Sequence, residues 1–134
     1  MSDIPDEQIA ELVEKAKQAR DLAYAPYSHF SVGAAVLTGS GRVYTGCNVE
    51  NASYGMTVCA ERVAIFKAVS EGERAISALA VVAGTSEIAR PCGACLQVIV
   101  EFAGPESPLI VAANTAGQSH ARTLAEYLPL PFDL

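Results

Sequence analysis

Residues 76–113 read ISALAVVAGTSEIARPCGACLQVIVEFAGPESPLIVAA, and this stretch decides the fold class. Its first part, residues 76–83, is short, uncharged and rich in alanine and β-branched residues, as a strand covered on both faces would be. Residues 92–102 carry apolar side chains at helical spacing, and Gly104-Pro105 ends that helix. Residues 109–113 predict a second buried strand. A strand, a helix and a strand in this order predict two parallel strands joined by a helical crossover.

The sequence on both sides extends this pattern. An apolar stripe with i, i+3, i+4 spacing predicts a helix over residues 9–23, which ends before Pro26. Two apolar runs, 30–38 and 42–49, flank Gly39-Ser40-Gly41 and predict a β-hairpin. The remaining predicted elements are a helix from residue 57 or 58 to 70, ended by Gly72, a short strand at 119–124 and a helical turn at 124–128. The order predicts an α/β fold, a sheet with helices on its faces.

The composition indicates one folded domain. The chain has 134 residues, of which 51% are hydrophobic and 18% charged, so it buries enough apolar surface to offset chain entropy. We expect residues 1–134 to form a single domain. The net charge of −6 provides no basic field for polyanions, so we expect no nucleic-acid partner and no binding to anionic membranes.

The sequence also favours a reducing compartment. Residues 1–8 are acidic, where a signal peptide needs a basic start and an apolar core, and no stretch approaches the roughly 18 apolar residues of a membrane span. We therefore expect a cytoplasmic protein. Four cysteines in such a compartment are thiols or metal ligands rather than disulfides.

Three of the four cysteines lie at predicted helix starts. Cys92 and Cys95 form a C-x-x-C directly after Pro91, and Cys59 opens the other predicted helix 33 residues earlier. Helix N-termini carry unpaired N–H groups and a partial positive charge, which stabilise the thiolate form that binds zinc. Because parallel crossover helices begin at the same edge of a sheet, we expect the three thiols to share one metal ion.

Three protein ligands suit a catalytic zinc, whose fourth position holds water, whereas a structural zinc has four protein ligands. Cys47 is the remaining cysteine, near the end of the hairpin, and we interpret it as a small buried thiol. As a fourth ligand it would instead indicate a zinc-stabilised binding module without catalytic activity. His29 and His120 have no ligand partner at i+3 or i+4, and we expect them in surface or hydrogen-bonding roles.

Glu61 is the candidate general acid and base. It follows Cys59 by two residues, a spacing that does not place two side chains together in mid-helix. At the first turn both side chains can approach a metal lying off the helix end. The alternative is an acid that interacts with its own helix dipole. With three cysteines nearby, we favour the proton-transfer role.

Five motifs carry a resemblance to a known family. Cys59-Ala60-Glu61 and Pro91-Cys92-Gly93-Ala94-Cys95 resemble the two zinc motifs of cytidine deaminases. Three more motifs are similar to the small homotetrameric class of that family: Pro26-Tyr27-Ser28-His29-Phe30, Asn48-Val49-Glu50-Asn51-Ala52-Ser53-Tyr54-Gly55 and Leu128-Pro129-Leu130-Pro131-Phe132. The resemblance spans nearly the whole chain, in order. It implies a three-layer α/β/α sandwich around a mixed five-stranded sheet, one Zn²⁺ per chain and a homotetramer with shared active sites.

The resemblance also implies roles at the metal. Glu61 would take a proton from the attacking water and return protons to the pyrimidine N3 and the departing amine. Arg62 would lie against a ligand thiolate and offset its charge. The chain departs from the family at Leu96, where arginine usually follows the second cysteine of the C-x-x-C, so the resemblance implies no second charge-offsetting or interface contact at this position.

For the substrate, the matching positions imply a second set of roles. Asn48 and Glu50 would bind the ribose hydroxyls, Phe30 would pack on the pyrimidine, and the Ala60 N–H would approach its O2. The alternative for Phe30 is plain core packing. The residues that would reach a neighbouring subunit's site are Ala52, Tyr54 and Phe132.

We therefore predict a zinc-dependent hydrolase that converts cytidine and deoxycytidine to uridine and deoxyuridine in pyrimidine salvage. One alternative is a deaminase of an aminonucleoside antibiotic or another modified cytosine nucleoside. A second is a deaminase of cytosine within a polynucleotide, which the net charge of −6 disfavours. The chain shows no glycine-rich phosphate cradle or paired arginines, so we expect it to reject 5′-phosphates.

Overall fold

The structure is a computed structural model that describes residues 4–134; the first three residues of the acidic N-terminal segment lie outside the described part. The strands are β1 (Val32–Thr38), β2 (Val43–Cys47), β3 (Ile76–Ala83), β4 (Leu109–Asn114) and β5 (Ser119–Thr123). The helices are α1 (Asp6–Arg20), α2 (Ala60–Ser70), α3 (Gly93–Glu101) and the short α4 (Leu124–Tyr127), with a 3₁₀ turn at Tyr54–Met56. Across residues 4–134, no helix combines the length and the apolar character that crossing a membrane requires.

The five strands form one mixed sheet in the order β2-β1-β3-β4-β5. Strands β3 and β4 are parallel, and every other neighbouring pair is antiparallel. Strands β2, β3 and β4 therefore point in the same direction, which makes α2 and α3 the two crossover helices. Both helices consequently begin at the same edge of the sheet.

Alternating side chains build a core on each face of the sheet. On one face, Ala35 and Leu37 of β1 lie in an apolar cluster with Leu12 and Ala16 of α1. On the other face, neighbouring β1 side chains such as Val36 join residues of α2, α3 and α4. The arrangement is a three-layer α/β/α sandwich around a mixed five-stranded sheet, which confirms the predicted fold class.

Two glycines let the helices approach the sheet closely. A Cβ on Gly33 would lie 1.9 Å from the Ala16 carbonyl oxygen of α1, and one on Gly46 would lie 2.5 Å from the Ala64 nitrogen of α2. Since backbone atoms cannot yield to a side chain, only glycine fits at either position. Gly46 thereby determines how near the first turn of α2 lies to the sheet.

The element boundaries differ from the predicted ones where isolated backbone pairs form. The first helix ends at Arg20 rather than at residue 23, and the Tyr24 N–H bonds the Asn48 carbonyl at 3.0 Å. Val49 and Val58 exchange two hydrogen bonds of 3.0 Å, so α2 begins at Ala60 instead of residue 57 or 58. The predicted hairpin strands are likewise shorter than 30–38 and 42–49, and Phe30 and Asn48 lie beyond their ends.

Candidate active site

The candidate metal ligands lie at the first turns of α2 and α3. Cys59 is the N-cap residue of α2 and Cys92 is the N-cap residue of α3, both with extended backbone and neither using its side chain as a cap. Cys95 is the third residue of α3 and is buried. The two helix ends therefore hold their sulfur atoms free for a ligand and contribute unpaired N–H groups beside them.

The three sulfur atoms form one compact group. The Sγ atoms of Cys59 and Cys92 are 4.0 Å apart, those of Cys92 and Cys95 are 3.4 Å apart, and all three lie within 4.8 Å of one another. Bonds of about 2.3 Å in tetrahedral geometry would separate two zinc-bound sulfurs by about 3.8 Å. The donor set and its spacing fit a zinc ion with three thiolate ligands.

The charge at this group is unevenly distributed. The pKa of the Cys59 thiol is lowered to about 5 by a hydrogen bond from Cys95 and by Arg62, whose Nη2 donates to the Cys59 Sγ over 3.5 Å. The same contact with Cys59, together with burial, raises the pKa of the Cys95 thiol. One thiolate thus opposes the ionisation of the next, and a divalent cation is what would allow all three to ionise together.

Glu61 is the buried acid of the site. Its side chain is 5% exposed and lines a cavity of about 200 Å³ together with Cys59 and Cys92. Burial raises the pKa of the Glu61 carboxyl to about 7, and negative charge at Cys59 acts in the same direction. A carboxyl with this pKa exchanges a proton readily near neutral pH.

Three of the predicted substrate residues line the same cavity: Phe30, Asn48 and Ala60. Phe30 is 41% exposed, so it is not a core residue. The Asn48 amide already has backbone partners, because its Oδ1 accepts from the Val32 N–H at 2.9 Å and its Nδ2 donates to the Phe30 carbonyl at 2.8 Å. Asn48 therefore holds the segment that presents Phe30, with one lone pair and one N–H left for a ligand.

The structure places Glu50 and Tyr54 beside this cavity rather than in it. Both line an adjacent cavity of about 340 Å³, and Thr57 borders the two cavities. The Glu50 carboxylate accepts hydrogen bonds from the Tyr27 N–H at 3.0 Å and the Ser28 N–H at 3.1 Å. The carboxylate also accepts a hydrogen bond from the Ser28 hydroxyl. The three bonds lower the pKa of the Glu50 carboxyl, and the bond from the Ser28 hydroxyl is the largest cause.

Ala52 and Phe132 lie apart from both cavities. Ala52 is exposed, and Phe132 is 69% exposed near the C-terminus. The side-chain amide of Gln97 on α3 anchors Phe132, donating to its carbonyl at 2.8 Å and accepting from its N–H at 3.3 Å. Within one chain, neither residue touches the space that Glu61 lines.

Comparison with known proteins decides the family. Residues 6–111 match the family model described as the cytidine and deoxycytidylate deaminase zinc-binding region. The chain belongs to the cytidine deaminase family. It is 50% identical over 124 residues to a cytidine deaminase of Sporosarcina psychrophila, a match that covers 92% of this chain and 90% of that relative.

Solved structures of cytidine deaminases agree with the fold. A crystal structure from Burkholderia pseudomallei is 47% identical, has a TM-score of 0.87, and covers 92% of this chain and 98% of its own. One from Mycobacterium tuberculosis is 42% identical, with a TM-score of 0.79, and the match covers 98% of this chain and all of that one. The predictions of this family, of a hydrolytic deaminase and of a zinc cofactor are confirmed.

Arg90 borders the candidate site but is not among the residues that the sequence predicted there. It borders the Glu61 cavity and is the one cation among the described residues that do so. No spacing rule connects an arginine to a metal site, but its place two residues before Cys92 is a signal. Val81 and Ala89 also border the cavity, which makes its wall largely apolar.

Leu96 and Cys47 lie outside the group of metal ligands. Leu96, which follows the second cysteine of the C-x-x-C, is 6% exposed and joins the apolar cluster under α2 and α3. Cys47 is half-buried at the end of β2 and is not part of the three-sulfur group. The four cysteines therefore do not form a structural metal site with four thiolate ligands.

The two histidines also lie outside the metal group. His120 is on β5, with both ring nitrogens buried, whereas His29 is exposed in a left-handed conformation with φ of 57°. Neither belongs to the three-sulfur group that the thiols form.

Proposed function

We propose that this cytidine deaminase family member hydrolyses the C4 amine of cytidine and deoxycytidine, forming uridine or deoxyuridine and ammonia. The observation that carries the proposal is the buried carboxyl of Glu61 in one cavity of about 200 Å³ with Cys59 and Cys92, two members of the three-sulfur group. Paired with a metal site, a carboxyl whose pKa is raised to about 7 is suited to move protons in both directions.

The proton transfers of this reaction fall to Glu61. Cys59, Cys92 and Cys95 would hold a zinc ion, which would make a bound water acidic enough to act as the nucleophile at neutral pH. The Glu61 carboxylate would take one proton from the attacking water and give it to N3 as oxygen adds to C4. It would then take the second proton from the new C4 hydroxyl and give it to the amine, which leaves as ammonia as the C4–N bond breaks. Arg62 and the two helix N-termini offset the charge of three thiolates, which would otherwise oppose loss of the proton from water.

The wall of the cavity suits a flat pyrimidine. Phe30 offers an aromatic face, and Val81 and Ala89 add apolar surface. Ala60 is the first residue of α2, so its N–H has no partner within the helix and is free for the pyrimidine O2. We propose that these groups orient C4 toward Glu61.

The sugar would lie toward Asn48 and Glu50. Asn48 retains one donor and one acceptor site, and the Glu50 carboxylate is held at the border of the adjacent cavity. We propose that both bind sugar hydroxyls, Glu50 as an acceptor only. Because Glu50 already accepts three hydrogen bonds, it is not left unpaired when the sugar is absent. We therefore expect free cytosine to be a poor substrate because it lacks these favourable contacts, and not because it leaves the Glu50 carboxylate without hydrogen-bond partners.

We further propose a homotetramer in which neighbours complete each site. Tyr54 is 76% exposed, and Phe132 and Leu130 are also largely exposed, so three large apolar side chains lie uncovered near the cavities or the C-terminus. Ala52 lies on the same exposed segment as Tyr54. Burial of these residues against a neighbour would cover the sugar side of the cavity.

We place the reaction in pyrimidine salvage in the cytoplasm. The site depends on three unpaired thiols, and a reducing compartment keeps thiols in that state. A free nucleoside would place its base in the cavity of about 200 Å³ and its sugar toward the adjacent cavity of about 340 Å³.

A specific observation favours a nucleotide as second candidate. Arg90 borders the cavity, and a guanidinium is a good phosphate partner. A single arginine in a protein of net charge −6 is a weak phosphate site, so we keep the nucleoside as the substrate.

The deciding experiment is a substrate panel with the zinc-loaded protein at one salt concentration. It compares kcat/KM for cytidine, deoxycytidine, CMP, free cytosine and an aminonucleoside antibiotic such as blasticidin. The two nucleosides should lead by at least about a hundredfold, on the order of 3 kcal/mol. Equal rates with CMP would replace the nucleoside by the nucleotide, and a lead for the antibiotic would replace cytidine as the substrate.

A further inference from the structure

The turn that carries Phe30 is bound to the side chain of Glu50 by hydrogen bonds that lie outside the helices and strands. The Glu50 carboxylate receives the N–H groups of Tyr27 and Ser28, at 3.0 and 3.1 Å, and the Ser28 hydroxyl as well. That same hydroxyl oxygen accepts the Phe30 N–H at 3.0 Å. Among residues 4–134, the Ser28 hydroxyl is thus the one group bonded both to Glu50 and to the backbone of Phe30.

Neighbouring contacts show that the turn is held in one conformation. His29 adopts φ of 57°, a left-handed conformation that is uncommon for residues other than glycine and costs conformational energy. Its N–H bonds the Ala25 carbonyl at 3.0 Å, and Asn48 fixes the Phe30 carbonyl from the other side. A turn of this kind persists only where surrounding bonds determine it.

We propose that Ser28 is a positioning residue that joins sugar recognition at Glu50 to base packing at Phe30. This inference rests on the proposed nucleoside substrate, because it gives Glu50 a sugar hydroxyl to bind. The Ser28 hydroxyl donates to the carboxylate and accepts from Phe30, so it sets the distance between the two substrate-facing groups.

Removal of the hydroxyl would affect both groups. The Phe30 N–H would lose its acceptor, and Glu50 would lose the partner that contributes most to its lowered pKa. Part of the binding free energy of the sugar would then offset the conformational entropy that the turn loses when it becomes ordered. A substrate with a sugar should lose more than one without, since free cytosine uses Phe30 but makes no contact with Glu50.

The experiment compares Ser28→Ala with Ser28→Thr, which keeps a hydroxyl. Ser40→Ala is the matched control, because the Ser40 hydroxyl also donates to a half-buried carboxylate, that of Glu73, at 2.8 Å. For each zinc-loaded variant we measure kcat and KM for cytidine and kcat/KM for cytosine. Ser28→Ala should raise KM for cytidine roughly tenfold with kcat within about twofold, and lower the preference for cytidine over cytosine by a similar factor. Ser28→Thr should restore most of the preference, and Ser40→Ala should leave it unchanged.

A second readout does not depend on catalysis. Hydrogen exchange at the amides of Ser28 and Phe30 should be roughly tenfold faster in Ser28→Ala, with no change in Ser40→Ala. If the wild type fails to deaminate cytidine, the proposed function is wrong, while the exchange data still test the turn. If the wild type is active but Ser28→Ala keeps both its preference and its amide protection, Ser28 has no positioning role. An equal loss on cytidine and cytosine would also overturn the coupling, since Ser28 would then act on Phe30 alone.

Discussion

The metal end and the sugar end of the candidate site are built in different ways. At the metal end, Cys95 and Glu61 are buried, and all three cysteines lie in the first turns of helices that pack on the sheet. At the sugar end, Glu50 is partly exposed and Tyr54 is 76% exposed, on segments outside the strands and α-helices.

The difference shows which interactions hold the residues of each end in position. Core packing of α2 and α3 positions the metal end, so it is complete within one chain. Side-chain to backbone hydrogen bonds position the sugar end, and its apolar side chains remain uncovered. Variants at the metal end should therefore abolish chemistry, whereas variants at the sugar end should weaken binding.

The largest effect is expected from loss of a thiol. Cys92→Ala should release the zinc, abolish measurable turnover and lower thermal stability, because metal binding is coupled to folding. Cys47→Ala is the control, since Cys47 lies outside the sulfur group. Metal content per chain, measured by mass spectrometry, should be one in the wild type and in Cys47→Ala. Zinc retained by Cys92→Ala would show that the ligand set is wrong.

Removal of the proton carrier comes next. Glu61→Gln keeps the shape of the side chain but cannot accept a proton, so kcat should fall by about 10³–10⁴-fold while zinc stays bound. Glu71→Gln, at the exposed end of the same helix, is the matched control and should behave as the wild type. Retention of a tenth of the activity by Glu61→Gln would contradict the assigned role.

Arg62 tests the charge balance at the metal end. Arg62→Gln removes the guanidinium that donates to the Cys59 Sγ, so zinc affinity or kcat should fall by about 10- to 100-fold. Arg74→Gln, at an exposed arginine that donates to the Val69 carbonyl, is the control for loss of one positive charge. Chelator competition measures the affinity. Equal behaviour of the two variants would make Arg62 an ordinary surface arginine.

The smallest effect is expected at the sugar end. If a neighbour's Phe132 covers the site, Phe132→Ala should raise KM for cytidine by about tenfold, with zinc content and kcat nearly unchanged. Leu134→Ala, at another exposed apolar side chain of the C-terminus, is the control. Sedimentation velocity of both variants reports the assembly state. A fall in kcat with unchanged KM would place Phe132 at the chemistry instead and break the division between the two ends.

The metal end could be predicted from the sequence because its signals are local. A C-x-x-C after a proline, a third cysteine at another helix start and a glutamate two residues later each carry chemistry within a few positions. The β-α-β pattern then placed both helix starts at one edge of the sheet. The spacing of apolar residues could not show that the Asn48 amide hydrogen-bonds the backbone of the segment that carries Phe30. Nor could it show that the Glu50 carboxylate accepts hydrogen bonds from the backbone of residues 27 and 28.

The sequence by itself determined the order of elements, because the spacing of apolar residues reports which face of each element is buried. It also determined the three-thiol group and the acid beside it, because each of their motifs spans only a few positions in the chain. Tertiary structure alone decided where α2 begins and how far its first turn lies from the sheet. The Val49–Val58 backbone pair shortened α2, and Gly46 set how closely α2 approaches the sheet. These contacts join residues far apart in the chain, and their energies depend on the packing of the whole sheet rather than on any local pattern.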